Sequence, residues 1–281
     1  FSLAGAQAKT ALYRDGDRWG IPQGRRPTTH ILKPLADQRD AMPENEHFCL
    51  RLAARVGMSV ATSEVLSIAG IPTFCSTRYD RAKNSDGQDV RLHQEDTCQA
   101  LAVHPSKKYE NESGPSALQI MQLLGTVSSA ANEDRDRFVR ALAFNFVIGG
   151  NDAHAKNYSL MLHPGKVRLA PFYDIGSFLP YLDKKAKGTK LAMKIGGHYE
   201  MDEIMPRHWQ LFARDADYDP ARALAQVRDL LARLPGEALG QLHECRAAGL
   251  KAPILDQLVD ALWVRTRTLA AHYGAEPSTE L

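Results

Sequence analysis

The sequence predicts an α+β protein, with strands concentrated in the first third and helices after them. Two observations carry this. Up to about residue 80, short runs rich in β-branched and aromatic residues alternate with Gly- and Pro-containing turns. After His93 the apolar residues recur at helical spacing. With 281 residues, 44% of them hydrophobic and 24% charged, the chain can bury one large core or build two lobes.

The elements read in order as follows. Thr10–Arg14 and His30–Lys33 are strands, punctuated by Gly16, Gly20 and the Pro22-to-Gly24 turn. Pro43, Glu44 and Glu46 open a helix that carries Phe48, Leu50, Leu52, Ala53 and Val56 and stops at Gly57. Val60–Ile71 and Thr73–Tyr79 are strands, and Lys83–Gly87 is a hairpin turn. Helical periodicity marks Gln94–Ala102, Ala117–Leu124 and Glu133–Ile148. Tyr158–Leu162 and Val167–Leu169 form a hairpin about Pro164 and Gly165, and the chain is helical from about Pro206. Lys184–Lys190 is a basic loop expected to be mobile.

Composition excludes several classes. Net charge is +2, and no Lys/Arg block marks a nucleic-acid surface. Arg214, Arg222, Arg228 and Arg233 recur as on a solvated helix face. Cys49, Cys75, Cys98 and Cys245 form no C-x-x-C pair, which argues against zinc and for free thiols in a reducing compartment. No apolar run approaches the ~20 residues of a membrane span, and no signal-peptide pattern is present.

Two polar segments carry the chemistry. Asp152 and Asn157 stand in the frame D-x-x-x-x-N, directly after an apolar helix and Gly149-Gly150. Downstream, Asp174 and Gly176 stand in the frame D-x-G. Kinase-type phosphoryl transfer needs a carboxylate at the attacking hydroxyl, and an Asn and a second Asp to hold magnesium on the phosphates. Either segment alone also reads as an ordinary turn, since Asn, Asp, His and Gly are turn formers. Their order favours phosphate transfer. Lys33 at a strand end could reach nucleotide phosphates and pair with Glu46 on the following helix; a surface Lys and an ordinary helix-start acid fit as well. His154 reads as a hydrogen-bonding loop residue, and Lys156 as a charge for the transferring phosphate. The small-residue loop Ser2–Thr10 can bring backbone N–H groups to phosphates, although it is no Walker A loop. No G-x-S-x-G supports hydrolase chemistry.

Taken together, Ser2–Leu12, Pro27–Lys33, Glu44–Leu50, Arg78–Arg81, Gln94–Gln99, Lys108–Glu110, Gly149–Asn157 and Pro171–Ile175 resemble the HipA-like serine/threonine kinases, toxins of bacterial toxin–antitoxin modules. The resemblance runs over most of the chain. It implies a two-lobed protein-kinase-like fold, with a small lobe over residues 1–82 and a helical catalytic lobe over 83–281. It implies ATP and Mg2+ as cofactors. Ala4, Gly5, Ala6, Gln7, Ala8 and Lys9 would cover the phosphates, and Lys33 would contact them. Thr77, Arg78 and Tyr79 would form the hinge at adenine. Asp152 would be the catalytic base, and His154, Ala155, Lys156, Asn157 and Tyr173 would complete the nucleotide site. Asn157 and Asp174 would hold the metal. Ser2 would be an autophosphorylation site whose phosphate, at about −1.5 to −2 charges, excludes ATP.

The resemblance also implies a target, an aminoacyl-tRNA synthetase of glutamyl type. It implies a helix-turn-helix antitoxin partner through which DNA is contacted, and a bacterial cytoplasmic location. Family members carry an N-terminal subdomain ahead of the Ser2 loop, expected here to have been removed or to lie on a separate chain. Ala8 stands where an acid is expected. The alternative function is a catalytically weak kinase-like module that binds the antitoxin and co-represses an operon. Intact Asp152, Asn157 and Asp174 speak against it. Small-molecule phosphotransferases share the D-x-x-x-x-N frame but not the Ser2 loop.

Overall fold

The structure, a computed structural model, describes residues 8–23, 26–35, 41–182 and 189–276. Five antiparallel strands build the first sheet: β1 (Thr10–Asp15), β2 (Arg18–Gly20), β3 (His30–Pro34), β4 (Ser63–Ile68) and β5 (Ile71–Thr77), in the order β2-β1-β3-β5-β4. The break between the last two falls at Ala69-Gly70, both with positive φ, rather than at Pro72. Helix α1 (Met42–Arg55) packs on β4 and β5 and on the C-terminal helices, and buries Phe48, Leu52 and Ala53. Pro43 fits its first turn because that turn's N–H groups have no helical partner.

His47 on α1 lies 3.0 Å from the Ser63 hydroxyl. Burial, with help from Arg51 and against Glu64, pulls its pKa down to about 4. A histidine depressed in the fold stabilises it fully above the unfolded pKa of about 6.5 and loses that contribution as pH falls toward the folded value. Wild type should therefore lose up to about 3 kcal/mol more than His47→Gln between pH 7 and pH 4. Denaturant unfolding at the two pH values checks this; equal losses in both proteins would refute it.

After β5 comes a small hairpin, β6 (Arg81–Lys83) and β7 (Asp89–Arg91), whose turn is held by Asn84 Oδ1 accepting the N–H groups of Asp86 and Gln88. β8 (His93–Asp96) then joins β9 (Ser159–His163) and β10 (Lys166–Leu169) in a second antiparallel sheet. This corrects the helix expected over Gln94–Ala102, which shrinks to one turn, α2 (Thr97–Ala100). The cause is a capping box: the Asp96 carboxylate accepts the Gln99 N–H, and the Gln99 side chain accepts the Asp96 N–H.

α3 (Ala117–Val127) and α4 (Ala131–Ile148) follow, the first with its own Ser116/Gln119 capping box. A hairpin that the sequence did not announce, β11 (Lys190–Ile195) and β12 (His198–Glu200), begins inside the expected basic loop; residues 184–188 of that loop lie outside the described residues. α5 (Pro206–Asp215), α6 (Pro220–Ala247) and α7 (Pro253–Tyr273) complete the fold, each with Pro in its first turn.

One hydrophobic core runs from Phe48 and Phe74 through Phe138, Leu142 and Phe146 to Leu231, Leu258 and Tyr273. The four cysteines are buried free thiols. Among the described residues, no helix is long and apolar enough to cross a membrane. Val60 bridges Phe172 in parallel; Ala61 N–H donates to Phe172 O at 2.8 Å and Phe172 N–H to Ser59 O at 2.9 Å. That bridge ties the chain just ahead of β4 to the D-x-G segment, two residues before Asp174.

Candidate active site

The site starts from β3. Strand alternation sends Leu32 and Lys33 to opposite faces. Lys33 is only 6% exposed, which for a cation requires partners. It has two: its Nζ donates to Glu46 Oε1 at 2.7 Å and to Asp174 Oδ1 at 2.5 Å. Burial would strip its proton, but the two carboxylates more than reverse this and hold Lys33 charged, with its pKa above the usual range. Glu46 shifts upward, because burial and the like charge of Asp174 outweigh Lys33.

Asp174 sits in the left-handed region, φ 58°, which Asp tolerates better than most residues. Burial alone would raise its pKa; the charge and hydrogen bond of Lys33, with the charges of Lys9 and His154, hold it below the ordinary carboxylate value. Its other oxygen, Oδ2, accepts from Asn157 Nδ2 at 2.9 Å. The side chain is nevertheless 40% exposed, so it opens toward the cleft. Asn45, fully buried beside Glu46, fixes the chain just past Gly176. Its Nδ2 donates to Ser177 O at 2.8 Å, and its Oδ1 accepts the Ser177 N–H at 2.9 Å. One turn of α1 thus places both the partner of Lys33 and the segment that bears Asp174.

The Asp152 loop leaves α4 through two glycines. Gly149 has φ 67° and caps the helix. A Cβ on Gly150 would lie 2.4 Å from Asn145 Oδ1, so only glycine fits there without displacing that side chain. Asp152 is exposed, and its Oδ1 accepts the Tyr109 hydroxyl at 2.5 Å. His154 is buried, and its N–H donates to Asn157 Oδ1 at 3.1 Å. Burial lowers the His154 pKa, against the upward pull of Asp152 and Asp174. Ala155 is fully buried; its N–H donates to Lys108 O and its carbonyl accepts from Thr97 Oγ1. Lys156 forms a close ion pair with Asp96, so its charge is already compensated.

Beside this cluster lies a cavity of about 220 Å³, lined by Lys9, Lys33, Glu46, Thr77, Arg78, Tyr79, Tyr173 and Asp174 among others. Tyr79 and Tyr173 stack, with centroids 5.8 Å apart, and Tyr173 donates to Lys156 O at 2.7 Å. The N–H groups of Thr77 and Arg78 are taken by Thr62 O and Thr29 O. Arg78 grips Asp80 with two bonds of 2.9 and 2.6 Å. Ala8 is exposed and, unlike its neighbour Lys9, does not line this cavity. Of the expected phosphate-covering loop and switch, Ser2, Ala4, Gly5, Ala6 and Gln7 lie outside the described residues.

Residues 1–238 match the family model of the HipA-like C-terminal domain. The chain belongs to this family. A Sinorhizobium fredii protein named "Putative kinase Y4mE" is 40% identical over 215 residues, covering 76% of this chain and 50% of its own. The serine/threonine-protein kinase toxin HipA of Shewanella oneidensis is 31% identical over 216 residues, covering 72% of this chain and 48% of its own. The chain therefore spans about half the length of these relatives. Among solved structures, that of the Shewanella oneidensis HipA, HipB and operator DNA complex superposes with a TM-score of 0.84 at 24% identity, over 98% of this chain and 66% of the matched one. The fold is a kinase-like α+β fold.

Within this HipA-like domain, the structure brings Lys33, Glu46, Asn157 and Asp174 into one bonded cluster, to which the His154 N–H is tied through Asn157 Oδ1. Asn45, Asp80, Asp96 and Tyr109 bond within or beside this site, and sequence alone gives them no role. Asn45 had a faint signal, as a polar residue between two acids at a helix start within the family-like segment Glu44–Leu50. Tyr109 lies in Lys108–Glu110, one of the segments that resemble the family, but its role was hidden because its partner lies 43 residues away.

Proposed function

We propose that this chain is the catalytic part of an ATP-dependent serine/threonine protein kinase. The observation that supports this reading best is the convergence of Lys33, Glu46, Asn157 and Asp174 on one cleft, with Asp152 exposed at the end of the same loop. Lys33, kept charged and fixed by Glu46, binds phosphate oxygens. The donor types suit magnesium, since a carboxylate and an amide oxygen are hard ligands; the Asn157 amide, whose Nδ2 faces Asp174 and whose Oδ1 accepts the His154 N–H, would have to turn its oxygen to the ion. Among the described residues no cluster of three or more His, Cys, Asp or Glu could hold a metal by itself, which fits an ion that keeps waters and takes substrate phosphates as ligands. Magnesium held by Asp174 and Asn157 supplies charge neutralisation at the phosphates.

Adenine would lie along Thr77–Tyr79 above Tyr173, meeting carbonyls rather than the two N–H groups already in use. Asp152 orients the acceptor hydroxyl and takes its proton. Lys9 adds charge at the phosphates; its pKa is lowered by burial and by Lys33. His154, Ala155 and Lys156 hold the loop that carries Asp152 and Asn157. Ala4–Ala8 complete the phosphate cover, and Ser2 is the autophosphorylated switch.

The acceptor we propose is an aminoacyl-tRNA synthetase of glutamyl type in the bacterial cytoplasm. The partner is a HipB-like helix-turn-helix antitoxin that contacts DNA, in keeping with the composition of the structurally similar complex. Calorimetric titration tests the nucleotide site. Mg-ATP should bind, and chelating the magnesium should weaken binding about tenfold or more, because the Asp174 side would lose its counter-ion. No heat in either condition would defeat the proposal.

A further inference from the structure

The residue that touches Asp152 comes from a separate loop, between α2 and α3, and that loop is built to a fixed shape. The Tyr109 carbonyl accepts the N–H groups of Glu112 at 3.0 Å and Gly114 at 2.8 Å. A Cβ on Gly114 would lie 2.5–2.9 Å from Lys107 O, Tyr109 O and Lys108 C, so the loop closes tightly on itself. The preceding carbonyl, Lys108 O, accepts the Ala155 N–H at 3.2 Å and so fastens this loop to the Asp152 loop. The Tyr109 ring meets His154 edge-on at 5.1 Å, and the Lys108 ammonium lies over the ring at 4.8 Å. The phenol is therefore anchored at the backbone, at the ring edge and at the ring face. Its hydroxyl donates to Asp152 Oδ1 at 2.5 Å. Among the described residues, no donor bonds Asp152 Oδ2.

An exposed aspartate on a loop rotates freely about its side-chain torsions unless something holds it. A general base works only when its lone pair points at the proton it takes. We propose that Tyr109 is a positioning residue: it clamps one oxygen of Asp152, locks the carboxylate plane, and leaves the other oxygen as the seat of the acceptor hydroxyl. This rests on the kinase reading, in which Asp152 is the base. Tyr109 acts through Asp152 and does not itself exchange a proton with the acceptor. The clamp acts on the acceptor side only, since Tyr109 is absent from the lining of the nucleotide cavity.

The test compares wild type, Tyr109→Phe and Asp152→Asn, using labelled Mg-ATP and myelin basic protein as a generic serine/threonine acceptor. Phe keeps the ring and its packing and removes only the hydroxyl. The expected result is a kcat about tenfold lower in Tyr109→Phe, with the KM for ATP and the thermal midpoint unchanged. A merely structural role would move the midpoint and KM together with kcat, and that pattern would overturn the clamp. Wild-type kcat in Tyr109→Phe, with Asp152→Asn inactive, would overturn the clamp while leaving the kinase reading in place. Activity at the wild-type level in Asp152→Asn, or no transfer by wild type, would remove the kinase reading and the clamp with it.

Discussion

Asp152→Asn should lower phosphate transfer by about 10²–10⁴-fold, the usual worth of a positioned general base, and leave Mg-ATP binding close to wild type. The substitution preserves shape and most hydrogen-bonding capacity. Asn145, Gly149 and Gly150, which place the loop, are untouched, and the loss is confined to proton acceptance. Asp152 is exposed and distinct from the Lys33–Asp174 cluster, so nucleotide affinity has no reason to change. Parallel measurement of transfer rate and calorimetric affinity separates the two effects. An inactive protein that also fails to bind nucleotide would place Asp152 in the binding site instead.

Asp174→Asn should also abolish transfer, and it differs in its second effect. Asp174 is the hub of the cluster, bonding Lys33 through one oxygen and Asn157 through the other. An amide in its place keeps the shape and removes the negative charge that a cation needs. Magnesium-dependent nucleotide binding should therefore fall about tenfold or more, and transfer with it. The fold should survive, because Lys33 retains Glu46 at 2.7 Å and the Asn45–Ser177 pair still fixes the segment. Calorimetry with and without magnesium reads the effect. Undiminished magnesium dependence in Asp174→Asn would show that the metal sits elsewhere.

Much of this arrangement was legible in the sequence, for specific reasons. α1 could be read from Pro43, its first-turn acids and the apolar spacing from Phe48 to Val56, because these are local signals. The hairpin of β9 and β10 followed from alternation about a Pro-Gly turn. Lys33, Glu46, Asn157 and Asp174 were each visible as polar residues in a patterned context, and their separation by up to 141 positions is closed by the fold. What was not legible depends on tertiary pairing. Gln94–Asp96 has no strand-specific composition; it becomes a strand because β9 lies beside it, and the Asp96 capping box decides where the helix starts. β11 was hidden because Lys190 and Lys194 make its pattern look like a polar loop, while Leu191, Ala192, Met193 and Ile195 are buried. Tyr109 and Asn45 acquire their roles only from partners 43 and 132 residues away.

The central claim is that the cleft between β3, α1 and the two Asp-bearing segments transfers the γ-phosphate of ATP. Its most direct test is label transfer from γ-32P ATP to serine or threonine of a protein acceptor, run side by side with wild type, Asp152→Asn and Asp174→Asn at saturating Mg-ATP. Wild type should yield phosphoserine or phosphothreonine, and either variant should transfer at least about a hundredfold less. Transfer by both variants at the wild-type rate, or none by wild type that binds Mg-ATP, would contradict it.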